Sequence, residues 1–282
     1  YQAVIPEQNE AQILYLINSS NVRSSQLKSD EIKAFQEFLV NIKADERRQI
    51  VNTEIVAYAS PDGKEDFNAS LSEKRAKSAT EAFNKKINNK KVAVDTKVDA
   101  RNVEEDWQGF SELVSNSNIE DKELILRVLQ MYSDPAVREK EIKNMSQVYT
   151  TLKKDILPEL RRARFIANVE YTTYTNEELL QLIEENIDVL DETALLRAAT
   201  LVKETTQKVA LYKKAIEKFN SANGQYNLAV TYIKDGKLAE AKAELAKCAQ
   251  DADWNNAMGV VALQENNLDE AAKYFKAAAN KA

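Results

Sequence analysis

Hydrophobic positions along the first 174 residues switch between two periods. Ile13-Leu14-Tyr15-Leu16-Ile17 is a short apolar run closed by Asn18-Ser19-Ser20 and is predicted as a strand. Ile32, Phe35, Leu39 and Ile42 then recur at helical spacing, with Ser29 or Asp30 placed to cap that helix. Residues 50–59 are rich in β-branched and aromatic types and read as a second strand, broken by the turn formers Ser60-Pro61-Asp62-Gly63. A helix from about 66 to 88 follows, with Phe67, Leu71, Ala79 and Phe83 on one side. Val92, Val94 and Val98 mark a third strand. Phe165, Val169 and Tyr171 share the period of two that marks a last strand over about 163–171. The order strand, helix, strand, helix, strand predicts a sheet with helices buried against one face.

Between the third and last strands, residues 104–160 read as mostly helical. Trp107, Phe110 and Leu113 form one short amphipathic face, and Leu124, Leu126, Val128 and Leu129 belong to another. Pro135 separates these from a longer helix that ends before Pro158. Because the stretch returns to a strand, it is an insertion or an extended crossover rather than a third domain.

From residue 175 onward the strand signal disappears, and Ala, Lys, Glu and Leu dominate, a helix-forming mixture. An internal repeat is present. Residues Tyr226 to Cys248 can be laid over Trp254 to Ala278 at an offset of 30, Ala229 on Gly259 and Ala241 on Ala271. Each copy predicts a helical pair with small residues at the crossing and a turn at Gly236 or Asn266-Asn267. An earlier pair, 194–203 and 207–219, fits the same architecture. The expected fold class is therefore α+β: a mixed sheet with covering helices and a helical insertion in 1–174, then an all-α array in 175–282.

The length of 282 residues agrees with two domains, and 44% hydrophobic residues suffice for packed cores. No apolar run approaches the roughly 18 residues of a membrane span. The absence of histidine removes Ser/His/Asp and Cys/His triads and most zinc sites. A single cysteine, Cys248, excludes an intramolecular disulfide and reads as a buried, inert thiol. There is no Gly-rich phosphate loop, and carboxylate pairs such as Glu104-Glu105 do not share a helix face. Residues 1–174 carry 26 basic and 28 acidic side chains, and 175–282 carry 13 and 17, so neither part has the basic excess that nucleic acid requires. No catalytic residue, metal ligand or cofactor is expected.

The most informative segment is 57–76. Gly63, Phe67-Asn68 and Leu71-Ser72-Glu73-Lys74-Arg75-Ala76 resemble, in type and spacing, the C-terminal domain of OmpA-like proteins, where a strand ends in a turn followed by an aromatic-Asn pair and Leu-Ser-x-x-Arg-Ala on a helix. Leu160-Arg161-Arg162-Ala163 resembles that family's entry to its last strand. The turn Ser60-Pro61-Asp62-Gly63 and the later Asp106-Trp107-x-Gly109-Phe110 look like the variants found in Bacteroidetes envelopes. The likeness covers roughly residues 10–172, and the 30-residue copies resemble the tetratricopeptide repeat (TPR), whose period is about 34.

The resemblance implies a periplasmic or outer-membrane-associated protein that holds the diaminopimelate of the peptidoglycan stem peptide. In the family a turn aspartate pairs with the ammonium and the helix arginine forks onto the carboxylate. Carried over, the arginine is Arg75 and the aspartate position is Ser60, with Asp62 two residues later and Asn68 beside it as further ligand candidates. Each also has a reading without ligand: Arg75 capping a loop carbonyl or lying on a solvated face, Asp62 forming the turn, Asn68 fixing local backbone, Arg161 and Arg162 as framework ion pairs. Three functions remain open. The first is a wall-associating domain joined to an array that recruits a protein partner on its concave surface; the second is an envelope assembly or surface-fibre accessory module without wall binding; the third is a cell-wall hydrolase.

Overall fold

The computed structural model describes residues 3–281. The protein is mixed α and β, and its chain divides into two compact units, Val4–Thr172 and a helical unit from Thr173 onward to which Ala3 belongs. The boundary lies two residues before the 174/175 junction expected from the sequence.

Four strands build the first unit's sheet: β1 (Val4–Leu14), β2 (Arg48–Tyr58), β3 (Val98–Val103) and β4 (Arg162–Thr172), in the spatial order β1-β4-β2-β3. β4 is antiparallel to both neighbours, with Ile13 opposite Ala163 on one side and Ile55 opposite Phe165 on the other. β2 and β3 are parallel, which demands a crossover between them. The chain connects β1 to β2 through α1 (Ser24–Leu27) and α2 (Asp30–Ala44), and α3 (Glu65–Ala82) begins the β2-to-β3 crossover. Ser29 caps α2 by accepting from the Ile32 amide. Its apolar stripe Ile32, Phe35 and Leu39 packs with Ala79 and Phe83 against Ala11, Ile13, Ile55, Ala57, Ala163 and Phe165, so both helices bury the same face of the sheet.

Two strand expectations shift. β1 starts nine residues before the apolar run 13–17 and stops at Leu14. Its upstream half, Val4-Ile5-Pro6 followed by four polar residues, is largely exposed along the edge of the sheet, while Leu16 and Ile17 have left the sheet and are exposed. Val92 and Val94 are buried but are not a strand. The Asn88 side-chain amide donates to the Val94 carbonyl and its oxygen accepts the Val94 amide, both at 2.9 Å, so one asparagine supplies the pairing a strand would have. Phe67, expected on the inner side of α3, is exposed in its first turn.

The insertion forms α4 (Trp107–Ser115), α5 (Lys122–Met131), α6 (Pro135–Lys143) and α7 (Ser146–Asp155), so the single long helix expected after Pro135 is two. Pro135 stands at the start of α6, where its missing amide costs nothing, and Asp134 caps it. These helices close their own core around Phe110, Ile125, Ile142, Leu152 and Leu157. Asp106 caps α4 by accepting from the Gly109 amide at 2.9 Å, and a Cβ at 109 would stand 2.5 Å from that carboxylate, which accounts for the glycine in Asp-Trp-x-Gly.

The second unit contains α8 (Asn176–Glu185), α9 (Glu192–Leu201), α10 (Thr205–Phe219), α11 (Ala222–Lys234), α12 (Leu238–Leu245), α13 (Ala252–Gln264) and α14 (Leu268–Lys281). The 30-residue copies are α11–α12 and α13–α14. Ser221 and Asp251, 30 apart, cap the first helix of each pair. Gly236 and Asn266, also 30 apart, hold φ of +73° and +61° at the turns. The Lys237 and Asn267 amides donate back to the Tyr232 and Ala262 carbonyls at 2.9 Å, the same left-handed closure twice. A Cβ on Gly259 would come within 2.6 Å of the Phe275 ring, so the α13–α14 crossing needs its glycine. Cys248 is half-buried, with burial raising its thiol pKa.

Candidate functional site

Ser60, Asp62, Asn68 and Arg75 gather at one end of the sheet, where β2 gives way to the Ser60–Gly63 turn and α3 begins. Arg75 lies three turns along α3, on its inward face, and is 1% exposed. Its Nη1 donates to the Tyr58 carbonyl at 2.9 Å, Nε to Ser19 at 2.9 Å and Nη2 to Leu16 at 3.2 Å. One guanidinium thus ties the end of β2 to the loop that leaves β1, and all three of its nitrogens donate to main-chain carbonyls. The Tyr15 ring lies 5.1 Å from the guanidinium carbon. The Tyr15 hydroxyl in turn reaches the Arg75 carbonyl at 3.1 Å and Ser78 Oγ at 3.0 Å. Burial lowers the Arg75 pKa to about 10, since the cation has lost its water and gained carbonyls rather than a paired carboxylate.

Ser60 is buried and donates its hydroxyl to Asp62 Oδ1. The other Asp62 oxygen lies 3.8 Å from Arg161 Nη2. Asn68 is buried and donates to the Asp62 main-chain carbonyl and to Glu105 Oε1, both at 3.2 Å. Glu105 also accepts from the Trp107 indole at 2.9 Å, and its carboxyl pKa is raised, first by burial. Gly63, with φ of +101°, donates its amide to Glu139 of the insertion at 3.2 Å, and Glu139 is paired with Lys143. Pro61 shares the lining of a narrow crevice with Trp107, Phe110, Ile142 and Tyr149. The insertion therefore clamps the turn from outside while Arg75 braces it from inside.

Arg162 pairs with the buried Asp106 at 3.1 Å and stacks 4.6 Å from the Tyr58 ring, which makes it a framework ion pair. The Nε atoms of both Arg161 and Arg162 are buried without a hydrogen-bond partner. Glu139, Glu105 and Tyr15, which contact this cluster, are not among the candidates that the sequence offers. Nothing local in the sequence marks Glu139, because its role depends on how the insertion folds back. The Asp-Trp spacing after Glu105 was the one available signal for the other side of the turn. Among the described residues, no group of three or more His, Cys, Asp or Glu side chains is placed to hold a metal ion.

No family model matches the chain, and a search of curated proteins finds no match either.

Proposed function

We propose that this chain is a non-enzymatic envelope assembly module: its OmpA-like unit acts as a closed framework, and its TPR-like array holds a protein partner. The observation that carries this reading is the Arg75 guanidinium, buried and committed to the carbonyls of Leu16, Ser19 and Tyr58. A ligand carboxylate arriving there would have to displace these main-chain acceptors, leaving the buried Tyr58 carbonyl unpaired at about 1–3 kcal/mol. Ser60 is likewise spent on Asp62, and a neutral hydroxyl supplies no charge for an ammonium. The envelope location rests on the likeness of 57–76 to OmpA-like domains, and the partner-binding role on the 30-residue helical pairs. No helix among the described residues is long and apolar enough to cross a membrane.

The wall-associating reading keeps one observation in its favour. The unpartnered Arg161 Nε beside Asp62 is a donor that an anionic ligand would satisfy. Co-sedimentation with purified diaminopimelate-type sacculi separates the two. The chain should stay in the supernatant. Sedimentation with the wall, competed by free muropeptide, would replace the assembly reading with the wall-associating one, and release of soluble fragments would point to a hydrolase.

A further inference from the structure

The two edges of the sheet are built differently. Along β1 the Gln12 and Leu14 amides point outward, and side chains satisfy them: Glu31 Oε1 accepts from Gln12 at 3.0 Å and Gln26 Oε1 from Leu14 at 2.9 Å. Pro6 falls in the same alternating series and has no amide to offer. That edge is closed to a further strand. On β3 the Lys97 and Val103 carbonyls face β2, accepting from the Thr53 amide at 2.8 Å and the Ala59 amide at 3.2 Å. The odd-numbered residues of β3 therefore bond inward, and Val98, Ala100 and Asn102 turn their amides and carbonyls outward. Among the described residues no side chain caps these groups, and Ala100 is exposed.

Asn102 donates to Ser72 on α3, so the even-numbered side chains of β3 face the helices while Asp99 and Arg101 stand on the opposite face. A row of side chains crosses that face and ends at Asp99: Gln8 donates to Asn168, Asn168 to Asn52 and Asn52 to Asp99, each at 2.8 Å. The row fixes the Asp99 carboxylate, whose cationic neighbour is the exposed Lys97 at 3.6 Å. Arg101 is exposed and has no hydrogen bond or ion pair among the described residues.

We infer that β3 pairs antiparallel with β3 of a second copy of this chain, across a two-fold axis at Ala100, joining the two sheets into one. Ala100 then faces Ala100, and Val98 faces Asn102, as hydrogen-bonded pairs, so each outward amide and carbonyl of the three residues finds a partner. Asp99 of each copy faces Arg101 of the other at the closer, non-hydrogen-bonded spacing, where opposite charges attract. The charges also fix the register. Sliding one strand by two residues keeps the hydrogen-bond alternation but sets Asp99 against Asp99 or Arg101 against Arg101. A second copy is selected over an unrelated strand because one short segment supplies both halves of the complement. This pairing goes beyond the proposed assembly role and does not depend on it.

Sedimentation velocity of the full chain over a concentration series is the test. Wild type should pass from monomer to dimer as the concentration rises. Ala100→Pro removes an outward amide without touching the ladder to β2. Asp99→Arg and Arg101→Asp each set like charges opposite one another. All three variants should stay monomeric with unchanged circular dichroism. An equimolar mixture of the Asp99→Arg and Arg101→Asp chains should recover a dimer, since each then supplies the charge the other needs; a loss caused by misfolding would not be rescued by mixing. Wild type that is monomeric at every concentration overturns the proposal. So does a dimer that survives Ala100→Pro, which would place the interface elsewhere, and so do charge variants that stay apart when mixed.

Discussion

The two units bury polar groups for opposite reasons. In the α/β unit Thr53, Ser60, Asn68, Ser72, Arg75 and Asp106 are all buried, and their partners are often distant in sequence. Arg75 alone ties together groups 17, 56 and 59 residues away. In the helical unit the buried polar residues are Ser221 and Asn255, and both act within four residues of themselves, Ser221 on the Gly224 amide and Asn255 on the Asp251 carbonyl. The first unit depends on a few long-range polar ties; the second adds one helical pair to the next through small residues and local caps. Damage should therefore spread through the first unit and stay local in the second.

The largest effect should follow removal of the central tie. Arg75→Ala strands the buried Tyr58 carbonyl at about 1–3 kcal/mol, releases the part-buried ties to Ser19 and Leu16 and leaves a cavity besides, so the α/β unit should lose much of its stability. Hydrogen exchange should show the loss across β1, β2 and α3 while α9 to α14 keep their protection. Arg75→Lys should rescue little, since a point ammonium cannot reach three divergent carbonyls as a planar fork does. An Arg75→Ala chain as stable as wild type would break the comparison at its strongest point.

Overpacking a helix crossing comes next. Ala241→Leu should destabilise the helical unit by roughly 1–3 kcal/mol, read from its urea unfolding midpoint, and leave the α/β unit unchanged. Smaller again is the loss of a cap. Ser221→Ala should cost about 1 kcal/mol, with faster exchange confined to the start of α11. If that loss spread across the whole array, the neighbour-by-neighbour account of the second unit would fail.

How far these features could be read from the sequence depended on their range. α2 was legible in Ser29, Ile32, Phe35 and Leu39 because helix burial and capping are written within a few residues. β2 and β4 were legible because central strands carry apolar residues on the buried face. The edge strand β1 was half invisible, because its exposed first half, with Pro6 and the polar run 7–10, lacks the alternation of a half-buried strand. Val92 and Val94 showed real burial but the wrong cause, since the Asn88 latch produces the alternation. At the site, the likeness of 57–76 to OmpA-like domains pointed to Ser60, Asp62, Asn68 and Arg75, which lie near one another where β2 meets α3. What that likeness could not reveal was occupancy: which carbonyls fill the Arg75 fork, and that Glu139 returns from the insertion to hold Gly63. Those are tertiary facts with no local signature.

The smallest expected effect sharpens the picture around Arg75. Burial raises the Tyr15 phenol from an ordinary 10.0 to about 12. The folded state therefore favours the neutral phenol. The stability this contributes is complete below pH 10 and is lost as the pH rises through about 12. The difference in alkaline absorbance between wild type and Tyr15→Phe should show one tyrosine ionising near pH 12. Ionisation at the ordinary value would mean that the Tyr15–Arg75 stack is open to water.

The central claim is that the Ser60–Asp62–Arg75 cluster is closed on itself. Isothermal titration of a diaminopimelate-containing muropeptide into the full chain tests it most directly. The account predicts no saturable heat, in wild type and in Arg161→Ala alike. Saturable binding by wild type that disappears in Arg161→Ala, with the fold intact by circular dichroism, would contradict it and show that the cluster opens to take a ligand.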